Sequence, residues 1–425
     1  MDNEKRKNAP GNPDESWGPR KNGRLYAKDV FTAHIFPDLW VSGTLILPDE
    51  SMLVSSSVVL TDTHHFSIAK LDSSGNVDKS FGEEGFLTEL FAPDLPAYGG
   101  SFALKDERIY MFGSSKSPSS LDAQIAILCI DEKGKRNKDF GTNGQIIVEN
   151  IINDRVFFAK YHFIRTLKDG SVLIGTSGAT GPSRIRTGYL MKFDASGEPD
   201  KSFGSNGIVD IKLPDDAAID LTDVCILDNG NILVSGYARP KTSTFNIGLL
   251  VMLNPTGSFN PLFGKDPAIP GFRLFTDERR GIELNAVTER STGKFLAAGS
   301  TGNLGGSEAL GLLVGFDQRG ENDMAFHNGE ALECAVSPDH TLGWDAVVTQ
   351  GDDIYVAGGE QLFTLALFKL DGKLNTAFGN EGVVQEPSSG RASALLRYSS
   401  DRLLCNFTAP GVGGPRGILF RHYRA

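Results

Sequence analysis

The chain has 425 residues, of which 40% are hydrophobic and 22% charged, a balance that allows a sizeable buried core. A net charge of −11 argues against a protein built to neutralise phosphates, so no nucleic-acid partner is expected. Cys129, Cys225, Cys334 and Cys405 stand singly in apolar runs without a CxxC pair, which disfavours a zinc site and reads as buried, reduced thiols.

The polar start, Met1 to Lys7, is followed by no apolar h-region, so no Sec signal peptide is expected. No apolar run approaches the roughly 18 residues of a membrane span. The expectation is a cytoplasmic protein, or one exported without a Sec signal, with residues 1–10 a disordered tail.

At Gly11 begins a marker of glycine, then Asp or Asn three residues later, then an aromatic after three more. It reads Gly11-Asp14-Trp17, Gly75-Asp78-Phe81, Gly134-Asn137-Phe140, Gly197-Asp200-Phe203, Gly257-Asn260-Phe263, Gly320-Asp323-Phe326 and Gly372-Asn375-Phe378. Seven copies at intervals of roughly sixty residues signal a repeat array. No Pro, Ser or Gly linker separates them, so residues 1–425 read as one domain. The turn accounts for the marker: glycine supplies a positive φ, Asp or Asn bonds the loop backbone, and the aromatic packs between sheets. A calcium loop would want more carboxylates, and Asn stands in three of the seven copies.

Between markers the chain reads as short strands, and 49 glycines with 20 prolines suit tight turns. In the clearest unit Val224 to Leu227 is a first strand, Asp228-Asn229-Gly230 a hairpin turn, Ile232 to Gly236 a second strand, Gly248 to Leu253 a third, and Gly271 to Leu274 a fourth. Equivalent runs recur, among them Ile109 to Gly113, Ile125 to Ile130, Tyr189 to Phe193, Phe295 to Gly299, Ile354 to Gly358 and Leu365 to Leu370. None shows helical periodicity. The last unit offers three strands, near Ala394 to Arg397, Leu403 to Asn406 and Ile418 to Arg421, while the first marker is followed by a lone strand at Arg24 to Ala27. The spacing predicts an all-β, seven-bladed β-propeller of four-stranded antiparallel blades. Residues 11–30 form the closing outer strand, six complete repeats run to about 390, and residues 391–425 supply three strands of the final blade.

The recurring Gly-x-x-[Asp/Asn]-x-x-Phe-Gly-x-x-Gly, seen in full from Gly75 to Gly85 and from Gly197 to Gly207, resembles the bacterial delta-60 repeat family. The resemblance runs from about Gly11 to the end and is looser at Gly257, Phe326-His327 and Trp17-Gly18. It implies a propeller-like repeat and carries no shared reaction, substrate or catalytic residue.

Aligned on their turns, the first strands place Ser42, Gly99, His162, Thr222, Asn285, Trp344 and Ser393 at one level. The next level holds Gly43, Gly100, Phe163, Asp223, Ala286, Asp345 and Ala394. His162, Asp223 and Asp345 interrupt these small residues and are the candidates for a hydrolase or lyase site at the mouth of the channel. The variable loops point instead to recognition. Arg184, Arg186, Tyr237, Arg239, Arg279, Arg280, His340 and Trp344 are expected exposed there, and such side chains dominate binding hot spots. The sequence has no Walker loop, Rossmann fingerprint, GxSxG elbow or HExxH helix, so no cofactor or metal is expected. The reading is a noncatalytic scaffold for a protein or carbohydrate partner.

Overall fold

A computed structural model describes residues 8–32, 40–116, 123–148, 155–180, 185–302, 309–336, 342–386, 389–409 and 416–424. The fold is a seven-bladed β-propeller. Blade 1 comprises Gly43–Ile46, Met52–Leu60, Thr63–Leu71 and Phe86–Glu89, and blade 2 Ala97–Lys105, Arg108–Lys116, Ala123–Ile130 and Gln145–Ile147. Blade 3 comprises Arg155–Thr166, Val172–Thr180, Arg186–Phe193 and Ile208–Ile211, and blade 4 Ala218–Ile226, Ile232–Arg239, Ile247–Leu253 and Phe272–Phe275. Blade 5 comprises Ile282–Ser291, Lys294–Thr301, Leu310–Asp317 and Leu332–Cys334, and blade 6 Trp344–Gln350, Asp353–Gly358, Phe363–Phe368 and Val383–Glu386. Blade 7 joins Arg391–Ser399, Arg402–Ala409 and Arg416–Tyr423 to the N-terminal strand Arg24–Tyr26, with Leu25 opposite Leu419. Ala27, expected in that strand, instead opens the short helix Ala27–Val30. Pro10, expected in the tail, accepts a hydrogen bond from Gly379 N. No helix among the described residues is long and apolar enough to cross a membrane.

Second and third strands are buried along almost their whole length, as in Ile232–Arg239 and Ile247–Leu253, because both sheet faces meet another sheet. By packing, the chain divides into two compact units, one of residues 1–54, 70–78 and 285–425, the other of 55–69 and 79–284. In the second unit, Leu190, Phe203, Leu221 and Val251 fill the space between blades 3 and 4, and Phe112, Phe140, Ile174 and Tyr189 that between blades 2 and 3. In the first unit Leu313, Phe326, Trp344 and Val356 pack together between blades 5 and 6, and Phe363, Phe407 and Phe420 between blades 6 and 7.

First strands are interrupted by β-bulges at Thr222, Asp345 and Ser393 and in the corresponding stretch of blade 2. A bulge leaves backbone groups without ladder partners, and these need another donor or acceptor. The neighbouring blade supplies it. Thr222 Oγ1 donates to Leu284 O at 2.7 Å, Asn285 Nδ2 to Trp344 O at 3.0 Å, Asn406 Nδ2 to Val41 O at 3.2 Å and Ser55 Oγ to Gly100 O at 2.7 Å. In the opposite sense, Leu221 N donates to Ser177 Oγ and Ala392 N to Asp345 Oδ2. Beside these bonds an apolar side chain of the next blade sits on a third-strand glycine. A Cβ on Gly188 would meet Leu221 at 2.8 Å, and one on Gly311 would meet Trp344 Nε1 at 2.3 Å.

The markers form a second set of joints. The backbone N–H that follows a marker aromatic donates to the marker turn of the next blade: Gly18 to Ser74 O, Gly82 to Lys133 O, Gly141 to Ser196 O, Gly204 to Thr256 O and His327 to Leu370 O. The aromatic lies against the next marker glycine, so that a Cβ on Gly134 would come to 3.0 Å from Phe81. Asp or Asn caps its own turn, as in Asp200 Oδ1 to Ser202 N and Asn375 Oδ1 to Ala377 N.

The closing seam is anchored on Asp14, which is fully buried. Its Oδ2 takes Arg402 Nε at 2.8 Å and Arg421 Nη2 at 2.8 Å, and its Oδ1 caps Ser16. Arg421 also lies over the Trp17 and Tyr398 rings and donates to Ser73 O of blade 1. Buried His422, at the far end of this seam, contacts Gly11 O through Nδ1. Burial pushes the Asp14 carboxyl up, but Ser16, Arg402 and Arg421 outweigh it and hold the group at about 2. Its folded value lies below the unfolded one, so the roughly 2 kcal/mol it contributes is complete above the unfolded value and is lost as pH falls through about 2. Asp14→Asn keeps the turn cap but leaves two arginines short of their counter-charge, and is expected to cost about 3 to 5 kcal/mol. Asp78→Asn, whose pair with Lys70 spans 3.7 Å, is expected to cost under about 1 kcal/mol. Urea denaturation of the two variants measures the difference.

Candidate functional site

The turn alignment places Asp345 level with Asp223, but the ladder does not. Asp223 pairs with Ser235, as Ala346 pairs with Ala357 and Ala394 with Asn406. Asp345 is instead the counterpart of Thr222 and Ser393, because the span from Ala346 to its partner Ala357 is one residue shorter than that from Asp223 to its partner Ser235. The same shift puts Trp344 in the slot of Leu221. Trp344 is accordingly fully buried over Gly311, with Nε1 3.2 Å from Cys334 Sγ, and its expected exposure is not what the structure has.

Each of the three candidates for chemistry has a partner of its own. The His162 ring stacks on Phe112 with centroids 4.3 Å apart and lies over Gly100, where a Cβ would approach Nε2 to 2.6 Å. Asp223 Oδ1 takes Arg165 Nη2 at 2.6 Å. Asp345 takes Arg391 Nε and Nη2 on Oδ1 and the Ala392 amide on Oδ2. Burial drives the Asp345 carboxyl above the usual range against the pull of Arg391. Among the described residues no three His, Cys, Asp or Glu side chains are disposed to hold a metal ion.

Of the recognition residues, Arg184 and His340 lie outside the described residues. Tyr237 is buried, since it stands in a second strand with a sheet on either face, and this too corrects the expected exposure. The arginines are at the surface or partly so, and three of them are braced from behind. Arg186 Nη1 is 2.9 Å from the buried Asp220 carboxylate, Arg239 Nε donates to Asn246 Oδ1 at 2.9 Å, and Arg280 pairs with Asp277 at 3.0 Å. Arg279 is exposed, its backbone N–H bonded to Asp277 Oδ1. Asn246 in turn donates to Glu283 and accepts Ile282 N, so Arg239 and the Asp277 to Glu283 loop form one connected surface at the blade 4 to blade 5 crossing. His64 and His65 belong to the strand Thr63–Leu71.

Two residues of interest escaped the sequence reading. Trp40 is 52% exposed, against 0% for both Trp17 and Trp344. Arg391, braced by Asp345, keeps 43% of its side chain exposed. The signal for Trp40 was its position, immediately before the first strand of blade 1 and thus in an entering loop.

No family profile matches the chain, and no curated protein sequence matches it. Among solved structures, a polysaccharide lyase, Uly1, superposes with a TM-score of 0.52 at 11% identity, covering 91% of this chain and 90% of its own. An alpha-L-arabinofuranosidase of Fusarium graminearum gives 0.49 at 11% identity over 94% and 96%. An alpha-L-arabinanase of Penicillium chrysogenum gives 0.46 at 13% identity over 94% and 96%. At these identities the likeness is one of fold, and the class it defines is the β-propeller.

The brace on Asp345 differs in kind from that on Asp223. Truncating the acceptor by Asp345→Ala strands the Ala392 amide and the Arg391 donors and is expected to cost about 1 to 3 kcal/mol, whereas Asp223→Ala, in a partly exposed pair, is expected to cost less than about 1 kcal/mol. Chemical denaturation of both variants decides whether Asp345 has this structural part.

Proposed function

We propose that the chain is a noncatalytic recognition scaffold, a propeller of delta-60-like repeats that holds a protein or carbohydrate partner on its variable loops. The observation that supports this best is the fate of the polar first-strand residues. His162, Asp223 and Asp345, the groups a hydrolase or lyase would need, are engaged in stacking, ion pairing and backbone bonding within the fold. The braced arginines of the loops are the contrasting case. An acceptor behind each fixes its guanidinium before any partner arrives, which lowers the ordering cost of binding.

Burial raises the Asp345 carboxyl above the usual carboxylate range, the direction a general acid needs, and this favours the second reading, a hydrolase or lyase. The two readings part in experiment. Replacing Arg239, Arg279 and Arg280 together by alanine is expected to abolish capture of a specific partner from native extract, with the urea midpoint unchanged. Capture that survives the triple replacement counts against this face. Turnover of a polysaccharide that Asp223→Asn or Asp345→Asn abolishes, without loss of folding, would establish the enzyme.

A further inference from the structure

We infer that the open end of blades 7 and 1 carries a carbohydrate subsite, in which a sugar ring lies on the Trp40 indole and its hydroxyls bond Arg391 and the Glu360-Gln361 turn. The inference rests on the recognition reading above and narrows the partner to a glycan. Trp40 is placed there by the knob that follows it. A Cβ on Gly417 would stand 2.4 Å from Val41 N and 3.0 Å from the Trp40 carbonyl carbon. Asn406 fixes the same segment through Val41 O at 3.2 Å.

Gly417 lies opposite Thr408, and Thr408 lies opposite Arg391, so one rung across blade 7 runs to Arg391 from the glycine on which the Trp40–Val41 peptide lies. Two strand spacings make that rung about 10 Å wide, close to the length of a disaccharide. Arg391 is held by Nε and Nη2 to the buried Asp345 carboxylate. Gly390 N donates to Glu360 O at 3.0 Å, which ties the second-to-third-strand turn of blade 6, with exposed Gln361, to the start of the Arg391 strand.

An exposed indole in the company of a fixed fork of donors, a carboxylate and an amide suits a ligand that offers an apolar face and vicinal hydroxyls at its edge. Sugars have that shape. A protein partner would call for a wider apolar patch, and the other exposed large apolar residues among those described, Leu262 and Met324, stand on marker turns rather than on this rung.

The three tryptophans supply the assay, because Trp17 and Trp344 are fully buried and Trp40 is not. The intact protein is screened on a printed array of plant, algal, fungal and bacterial polysaccharide fragments, and the positives are followed by iodide quenching and calorimetry. Protection of the quenchable tryptophan by a bound oligosaccharide is expected. Trp40→Ala should weaken binding about tenfold or more, Trp40→Phe about threefold or less, and Arg391→Lys, which keeps the charge beside Asp345 and loses the fork, severalfold. Silence across the array, or binding that Trp40→Ala leaves intact, overturns the subsite. If partner capture is nevertheless abolished by the triple arginine variant, the scaffold reading survives that loss. Release of new reducing ends or unsaturated products from the bound sugar would instead overturn the noncatalytic reading and leave the subsite standing.

Discussion

The structure depends on satisfying the backbone groups that its first-strand bulges leave without ladder partners. A propeller sheet must twist strongly, and a bulge supplies that twist at the cost of an orphaned N–H or C=O in a buried place. Beside bulges the adjoining blade supplies the partner, Asn285 for the Trp344 carbonyl and Asp345 for the Ala392 amide, and Thr222 and Asn406 make the same kind of bond to the Leu284 and Val41 carbonyls. Such a bond does two jobs, since it completes one sheet and fixes the position of the next. The apolar knobs Leu221 and Trp344 then seat on glycines that a methyl group would block, and hydrophobic burial stabilises an arrangement the polar contacts have already specified.

The markers act by the same logic farther out, and they explain an alternation that looks arbitrary along the chain. The marker amide donates to a third-strand carbonyl whose residue is Lys70, Lys192 or Arg421 where the marker is Asp, and Cys129, Met252 or Leu367 where it is Asn. The seventh case, Asp323, bonds the Gly315 carbonyl and draws its cations from Arg290 and Lys294 instead. Either residue caps the turn through Oδ1, and a carboxylate is kept where a cation stands within reach. Asn thus stands in three markers whose third-strand partner is uncharged.

Blade number, strand order and the terminal seam were legible because each rests on local chemistry that repeats seven times: a turn glycine, an Asx cap, a strand-length apolar run. The level of Trp344 and Asp345 was not legible. It depends on the span between a first-strand residue and its second-strand partner, and one residue fewer from Ala346 to Ala357 than from Asp223 to Ser235 reverses which side chain faces the core. Tyr237 was misplaced for a related reason, because a ring at the end of a second strand reads as a loop residue until the sheets on either side are known. Arg279 and Arg280 stand in a loop, whereas Arg239, expected in one, ends the second strand of blade 4. Asn246 and Asp277 brace two of them from within the same connection, seven residues after Arg239 and three before Arg280, through loop conformations that no repeat encodes.

Burial of polar groups also decides what kind of site this framework can offer. A catalytic carboxylate on a first strand has to serve substrate, yet in this fold that position is where a neighbouring blade needs an acceptor. Asp345 illustrates the conflict: freeing it for chemistry would strand the Ala392 amide and the Arg391 guanidinium, a loss greater than most single contacts return. The same bond that ties Asp345 down holds Arg391 out toward solvent in one orientation. Asp345 thus serves the fold as an acceptor between blades 6 and 7, and the cation it braces stands partly exposed.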